Sequence, residues 1–582
     1  MKPAKLFAVA CVICLVVFTS RAAQSPEQIN LDALAKIKAE ASRQSQLMEV
    51  ARNITTVSGP RVTNSPNLRA AATYALKTLA DWKLSDVHYE TWNFGNGWTN
   101  DKFSIKLASD PAMNMVAYSK AWTPGTNGPV TAEVVDATIR TDADFARLRG
   151  TLKGKFAMIL PGPSAPPPAV AATATIKRFT DDELLKIAPA SAASPAAAAA
   201  PAAPRTTPPA TPAAPATPAA PEPEAGFFAW VENALAAPVA QPTGAVAPRG
   251  NTPAATAITR DRVTKFYFEE GVAAMIEPGP ITRDGAVITV SATGETNPWK
   301  SDPKTPKVPP QVVIAADHYF KVMQMVSKPA TAGTPVMMTI DIKNTYHTAD
   351  PLALNVVADI KGTDKADELV VLGAHLDSWH LSTGATDNGA GVAVVMEAMR
   401  ILKAAGLPMR RTVRLGLWSG EEEGMLGSRA FVDKYFLTRI IMQTRPGHAK
   451  LSAYFNLDGG TGLIRGVYMQ GNKEIAPIFE KWMAPFKSLG MTTLAPVSVG
   501  GSDHLSFDNV GLPAFQFIQD PIEYDTKTHH TNLDSYDRLL SDDLVKNATI
   551  VASFAYLAAT RDNLLPRKPL PSNVHPAGSP VP

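Results

Sequence analysis

Cysteine is nearly absent from this chain. Its 582 residues include two, Cys11 and Cys14, and both fall in an N-terminal stretch that reads as an export signal. Lys2 and Lys5 precede an apolar run over 6–18, and Ser20-Arg21-Ala22-Ala23 supplies the small residues a signal peptidase needs. Removal of this signal peptide, 1–23, takes both thiols with it, so neither disulfides nor a cysteine nucleophile is expected in the exported protein. The run is short for a membrane span, and much of it lies beyond either cysteine, so neither membrane attachment nor lipidation is expected after cleavage. Export to the periplasm and export to the medium fit equally. A charge excess is lacking too. The formal +3 is matched by Lys2, Lys5 and Arg21 of the leader, and without a basic patch no nucleic-acid partner is expected. What the chain does have is length and a 45% hydrophobic content, enough for two cores and a linker.

The chemistry gathers in the C-terminal half. In chain order stand Gly373-Ala374-His375-Leu376-Asp377, Thr386-Asp387-Asn388-Gly389, Gly420-Glu421-Glu422-Glu423-Gly424, Asn456-Leu457-Asp458 and His529-His530-Thr531-Asn532-Leu533-Asp534. Apolar runs of strand length over 368–373, 412–418 and 453–456 come just before three of them. Helical patterns over 391–404, closed by Gly406, and 474–489, closed by Gly490, lie between. This alternation predicts an α/β fold with a mixed, mostly parallel sheet and helices on both faces. Sites in such sheets form outside the carboxyl ends of the strands.

Singly, each motif is unremarkable: a His-x-Asp pair, an acidic turn and two Asx turns. Together they match a pair of zinc ions. If His375 and Asp458 hold one ion, Glu422 and His530 the other, and Asp387 bridges them, three carboxylates oppose four positive charges and a bridging hydroxide completes the balance. Asp377, two residues past His375, is placed to orient the His375 ring. Glu421 is left outside the shell as the general base, while Glu423 reads as a solvated or helix-capping acid.

These motifs resemble those of the M28 family of zinc peptidases, and His375-Leu376-Asp377-Ser378-Trp379 with His529-His530 is most similar to its carboxypeptidase Q-like members. The resemblance runs over about 31–565 with one interruption and implies two Zn2+ ions on His375, Asp387, Glu422, Asp458 and His530, with Glu421 and Asp377 as catalytic residues. The family's His-Thr-x-x-Asp-Ser pattern aligns His530 as the ligand, although His529 beside it could also coordinate. Ser502-Asp503-His504 matches a family motif near the substrate pocket. His504 is then either a substrate contact or a structural residue. His88, His318, His347, His380, His448 and His575 have no such context and read as structural or surface residues.

The resemblance also organises the chain. Residues 24–122, with a helical pattern over 68–82 and Ser58-Gly59-Pro60-Arg61-Val62-Thr63, form the first part of the peptidase domain, and 346–565 form its catalytic remainder. Residues 123–345 resemble an inserted, β-rich protease-associated domain, with short strands over 130–159 and helix then strand over 263–278. Its expected role is to cover the cleft or limit substrate size. An Ala/Pro-rich linker, 164–225, interrupts this insert and is expected to be extended and without a core. Phe227-Phe228-Ala229-Trp230 is an apolar island suited to docking on a neighbour, and 566–582 is a loose tail.

The function implied is an exported di-zinc exopeptidase that hydrolyses peptide bonds by metal-activated hydroxide, as an aminopeptidase or dipeptidase. The alternatives are a carboxypeptidase of the same fold, a glutaminyl-cyclase-like acyltransferase, which would use a single zinc, and a non-catalytic receptor-like relative, which would have lost ligands. The partner is a peptide substrate. A homodimer is an expectation by analogy alone.

Overall fold

The strand Lys365–His375 is buried on both faces from Val370 to His375. Val370, Leu372 and Ala374 enter one core and Val371 the other, as the two-residue period of a strand demands. In a computed structural model of the chain, which describes residues 27–108, 110–160, 176–188, 258–280, 284–327 and 335–578, this strand is central to an eight-stranded sheet. Arg411–Trp418, Lys365–His375, Leu451–Asn456 and Ala514–Gln519 run parallel side by side. Leu352–Ile360 and Ser85–Asn93 add antiparallel strands at one edge, and toward the other Ile464–Tyr468 is antiparallel to Ala514–Gln519 and parallel to the edge strand Thr493–Ala495. The mostly parallel core flanked by helices is the fold class expected.

Helices cover both faces. Leu31–Arg43, Ala390–Ala405 and Ser541–Thr560 pack in the larger core, and Leu426–Tyr435 lies on the opposite face with the ring of Phe507. Gly406 ends Ala390–Ala405 in the left-handed conformation, with φ +60, that a glycine cap supplies without strain. The helix read over 474–489 is instead broken into Lys473–Ile475, Ala476–Met483 and Ala484–Leu489, because Pro477 and Pro485 deny it continuous hydrogen bonds. Among the described residues no helix is long and apolar enough to cross a membrane.

A second, seven-stranded sheet holds Gly97–Leu107, Met337–His347, Val130–Asp136, Phe156–Met158, Ala274–Pro278, Gln311–Ile314 and Ala117–Ser119, in that order. Gly97–Leu107 pairs along its length with Met337–His347. The boundary expected at 122 therefore moves back, since the chain has entered the second sheet by Gly97. Four of its strands are parallel, and Asp142–Leu148, Arg260–Glu269 and Ala316–Ser327 accompany them, so this unit is mixed rather than purely β-rich. The linker expected over 164–225 is corrected at 176–188, where the helix Asp181–Ile187 forms under a Thr180–Glu183 capping box and buries Leu184. These residues are neither alanine- nor proline-rich, which is why they depart from their surroundings. The leader, Phe227-Phe228-Ala229-Trp230 and the rest of the low-complexity stretch lie outside the described residues.

Candidate metal centre

The parallel strands deliver their polar residues to one end. His375 closes its strand, Glu421 and Glu422 follow Arg411–Trp418, Asp458 follows Leu451–Asn456, and the loop after Ala514–Gln519 carries His530. Asp387 comes from the turn ahead of Ala390–Ala405, through a cis peptide to Asn388. His375 Nε2 lies 3.2 Å from Asp387 Oδ1 and 3.5 Å from Asp458 Oδ1. His530 Nε2 lies 2.9 Å from Glu422 Oε2 and 3.3 Å from Asp387 Oδ2. The five residues proposed to bind metal thus come together, with Asp387 between the two histidines. His529 Nε2 is 3.8 Å from the same Asp387 oxygen, its side chain is 43% exposed, and its ring packs against Tyr524 and His530.

The centre gathers carboxylates and imidazoles whose hydrogen-bonding capacity is left partly unmet. His375 Nε2, Asp387 Oδ2 and Glu422 Oε1 are buried without a hydrogen-bond partner. Burial, followed by the nearby Asp387 carboxylate, pushes the Glu422 carboxyl well above its ordinary range. Burial opposes a charge on His375, yet Asp458, Asp377 and Asp387 hold its imidazole well above the usual value. Burial also works against ionisation of Asp387, but the three imidazoles hold it low. Carboxylates and imidazoles with converging, unpartnered atoms are a fitting donor set for zinc.

A supporting layer fixes these groups. Asp534 accepts from Thr386 N at 2.6 Å and Asp387 N at 3.1 Å, and burial raises its pKa to about 7. Arg61, fully buried, donates to the carbonyls of Leu376 at 2.7 Å, Thr383 at 2.6 Å and Gly384 at 2.9 Å. Burial, only partly offset by Asp534 and Asp377, lowers the Arg61 pKa to about 10. Gly384 is at φ +59, and a Cβ there would sit 2.3 Å from that of Ser378. Tyr524 donates to Asp458 Oδ1 at 3.4 Å. The sequence offered a signal for Asp534, in the same motif as His530; for Arg61 and Tyr524 spacing offered none.

Several expectations change. The strand ends at His375, so the same-face argument for Asp377 fails: His375 Nδ1 meets the Asp377 backbone oxygen at 3.1 Å, and the carboxylate Oδ1 is 3.6 Å away. That carboxylate instead accepts from Thr63 Oγ1 and from the backbone N–H groups of Glu421 and Glu422, at 3.1, 3.3 and 3.2 Å. Asp377 therefore shapes the acidic turn. Glu423 is neither solvated nor a cap, because its Oε2 is buried without a partner and the following helix has no side-chain cap. His504 is buried with Nε2 2.9 Å from the Val499 carbonyl, which is the structural reading. Asp503 beside it is buried with neither carboxylate oxygen bonded.

Two sheets, a parallel core and donors at its carboxyl ends define the class as an α/β protein with a candidate metal centre. Residues 355–555 match the description "Peptidase family M28", and that part of the chain is similar to the family. It is 28% identical to carboxypeptidase Q of Mus musculus over 264 residues, 45% of this chain and 52% of that protein. It is 31% identical to leupeptin-inactivating enzyme 1 of Streptomyces exfoliatus over 171 residues, 29% of this chain and 36% of the relative. The chain thus spans about half the length of the first curated relatives it matches. In fold it is similar to a peptidase M28 precursor from Shewanella amazonensis, with TM-score 0.60, 20% identity and 93% and 98% of the two chains covered. It is also similar to a zinc aminopeptidase from Bacillus subtilis, with TM-score 0.52, 17% identity and 89% and 95% covered.

Proposed function

We propose that this protein is an exported di-zinc exopeptidase that acts as an aminopeptidase or dipeptidase. The observation that carries the reading is Asp387, whose two oxygens face His375 and His530 separately. In this reading His375 and Asp458 hold one ion, Glu422 and His530 the second, and Asp387 is shared. Zinc bound by these side chains supplies Lewis acidity, which polarises a carbonyl and makes water a stronger acid at neutral pH. Glu421, outside the ligand set and with its carboxyl pushed well above the ordinary range by burial, accepts a proton from the attacking water and passes it to the leaving amine. The Asp377 carboxylate holds the Glu421 and Glu422 backbone, and so fixes where that base stands. Export rests on the leader-like sequence over 1–23.

Local charge supports reading of the amino end. Lys527 and Arg538 are the lysine and arginine residues within 520–540. Lys527 Nζ contacts Glu523 at 2.9 Å and Asp284 at 3.2 Å, while Arg538 contacts Glu523 at 3.1 Å. Neither is left to hold a substrate carboxylate, whereas surplus carboxylates favour a protonated amine. The identity to proteins named carboxypeptidase Q supports the second reading, cleavage from the other end, and a dipeptide satisfies both. The test is a hydrolysis screen over free-amino, N-acetylated and C-blocked peptides with zinc present. Unblocked dipeptides and amino-acid amides are expected to be cleaved and N-acetylation to abolish cleavage; efficient C-terminal cleavage of N-acetylated peptides overturns the aminopeptidase reading.

A further inference from the structure

We propose that the segment Lys177 to Phe179, in the described stretch 176–188, is a positioning clamp for the histidine loop, with Arg178 its principal side chain. The inference rests on the functional reading above for what the loop does, but on geometry for how it is held.

The loop that leaves the strand Ala514–Gln519 begins with Asp520, whose carboxylate is fully buried. Phe179 N donates to its Oδ1 at 2.9 Å, Arg178 Nη1 to its Oδ2 at 3.0 Å, and Arg465 Nη1 to its Oδ1 at 2.9 Å. The same Arg178 nitrogen lies 2.6 Å from Asp543 at the start of the long C-terminal helix Ser541–Thr560. Two residues on, Ile522 is buried at φ +47. A β-branched side chain disfavours the left-handed region, and such a backbone persists only where its surroundings over-determine it. Lys177 supplies that restraint: its carbonyl accepts from Ile522 N at 2.8 Å, and its N–H donates to the Ile522 carbonyl at 3.4 Å. The loop then presents Tyr524 toward Asp458 and ends at His530, itself at φ +60. Beyond His530 the second sheet's unit takes over, with Val287 N donating to Asn532 Oδ1 at 2.7 Å and Ile288 bridging Thr531. Ile522 is thus restrained directly from outside the peptidase sheet, and so are the two residues that follow His530.

Arg178 is 45% exposed on its side chain, so its removal should leave the fold intact while loosening Asp520 and Ile522. The experiment compares wild type, Arg178→Ala and Arg178→Lys as full-length protein. In metal-free protein, amide hydrogen exchange of peptides spanning 521–533 is expected to accelerate by at least about tenfold in Arg178→Ala, with other peptides unchanged, and to be largely restored in Arg178→Lys. In zinc-loaded protein, kcat is expected to fall by about ten- to a hundredfold with KM changed much less, because loop misplacement acts on geometry. Wild-type exchange in Arg178→Ala overturns the clamp, and so does a uniform acceleration over the whole chain, which would mark Arg178 as a general stabiliser. Wild-type protein that takes up no zinc and cleaves no peptide refutes the functional reading instead, and the exchange comparison still judges the clamp.

Discussion

Asp387 divides one carboxylate between two histidines: Oδ1 is 3.2 Å from His375 Nε2 and Oδ2 is 3.3 Å from His530 Nε2. The two histidines stand 155 positions apart by residue number and meet because parallel strands end on the same side. Asp534 fixes this carboxylate through the Asp387 backbone, so the centre depends on a residue outside the proposed donor set.

Glu421→Gln should keep the fold and zinc content and lose turnover by about 10² to 10⁴, the usual worth of a general base. Metal analysis beside kcat decides it. A fall in zinc content, with activity recovered by excess zinc, would exchange the roles of Glu421 and Glu422.

His530→Ala should lower zinc stoichiometry and activity together, since His530 Nε2 faces both Glu422 and Asp387. His529→Ala should chiefly alter substrate handling, because its ring is partly exposed beside Tyr524. Equal zinc loss in the two variants would contradict this division.

Lys120→Met should destabilise the protein by about 3–5 kcal/mol in urea unfolding, because it strands a buried carboxylate. Lys120 Nζ meets Glu277 at 2.7 Å, with side chains 4% and 10% exposed. Burial acts against both charges; it lowers the Lys120 pKa, whereas Lys120 holds that of Glu277 low. The double variant Lys120→Met with Glu277→Leu should recover most of the loss; failure to recover would mean that packing, not charge, sets the cost.

His88 sets a pH dependence of stability. Partial burial lowers its pKa, but Glu90, 3.1 Å away, and Asp86 outweigh that and leave it raised. A raised folded-state pKa stabilises fully below the unfolded value, about 6.5, and that contribution is lost as pH rises through the folded value. His88→Gln should therefore lower Tm at pH 5.5 more than at pH 8.5, by an equivalent of less than about 1 kcal/mol at this partly exposed site. An equal Tm difference at both pH values would show that packing rather than charge is lost.

The sequence by itself determined the parallel core and the residues at its carboxyl ends. Apolar runs such as 368–373 and 412–418 read as buried strands, and the short motifs after them then fall at the carboxyl ends of one sheet. The motifs in their chain order, with the family pattern they resemble, also carried His375, Asp387, Glu422, Asp458 and His530 as a set. Tertiary structure decided what each neighbouring acid does, because that depends on partners far along the chain. Asp377 turned from ring-orienting group to backbone acceptor when Thr63 and the Glu421 turn came within reach. Glu423 was shut away from water, and Lys527 was taken up by Asp284 of the second unit. Phe179 reaches Asp520 across 341 positions, a contact that no local periodicity encodes, since composition records what a segment is and only the closed fold records what it meets.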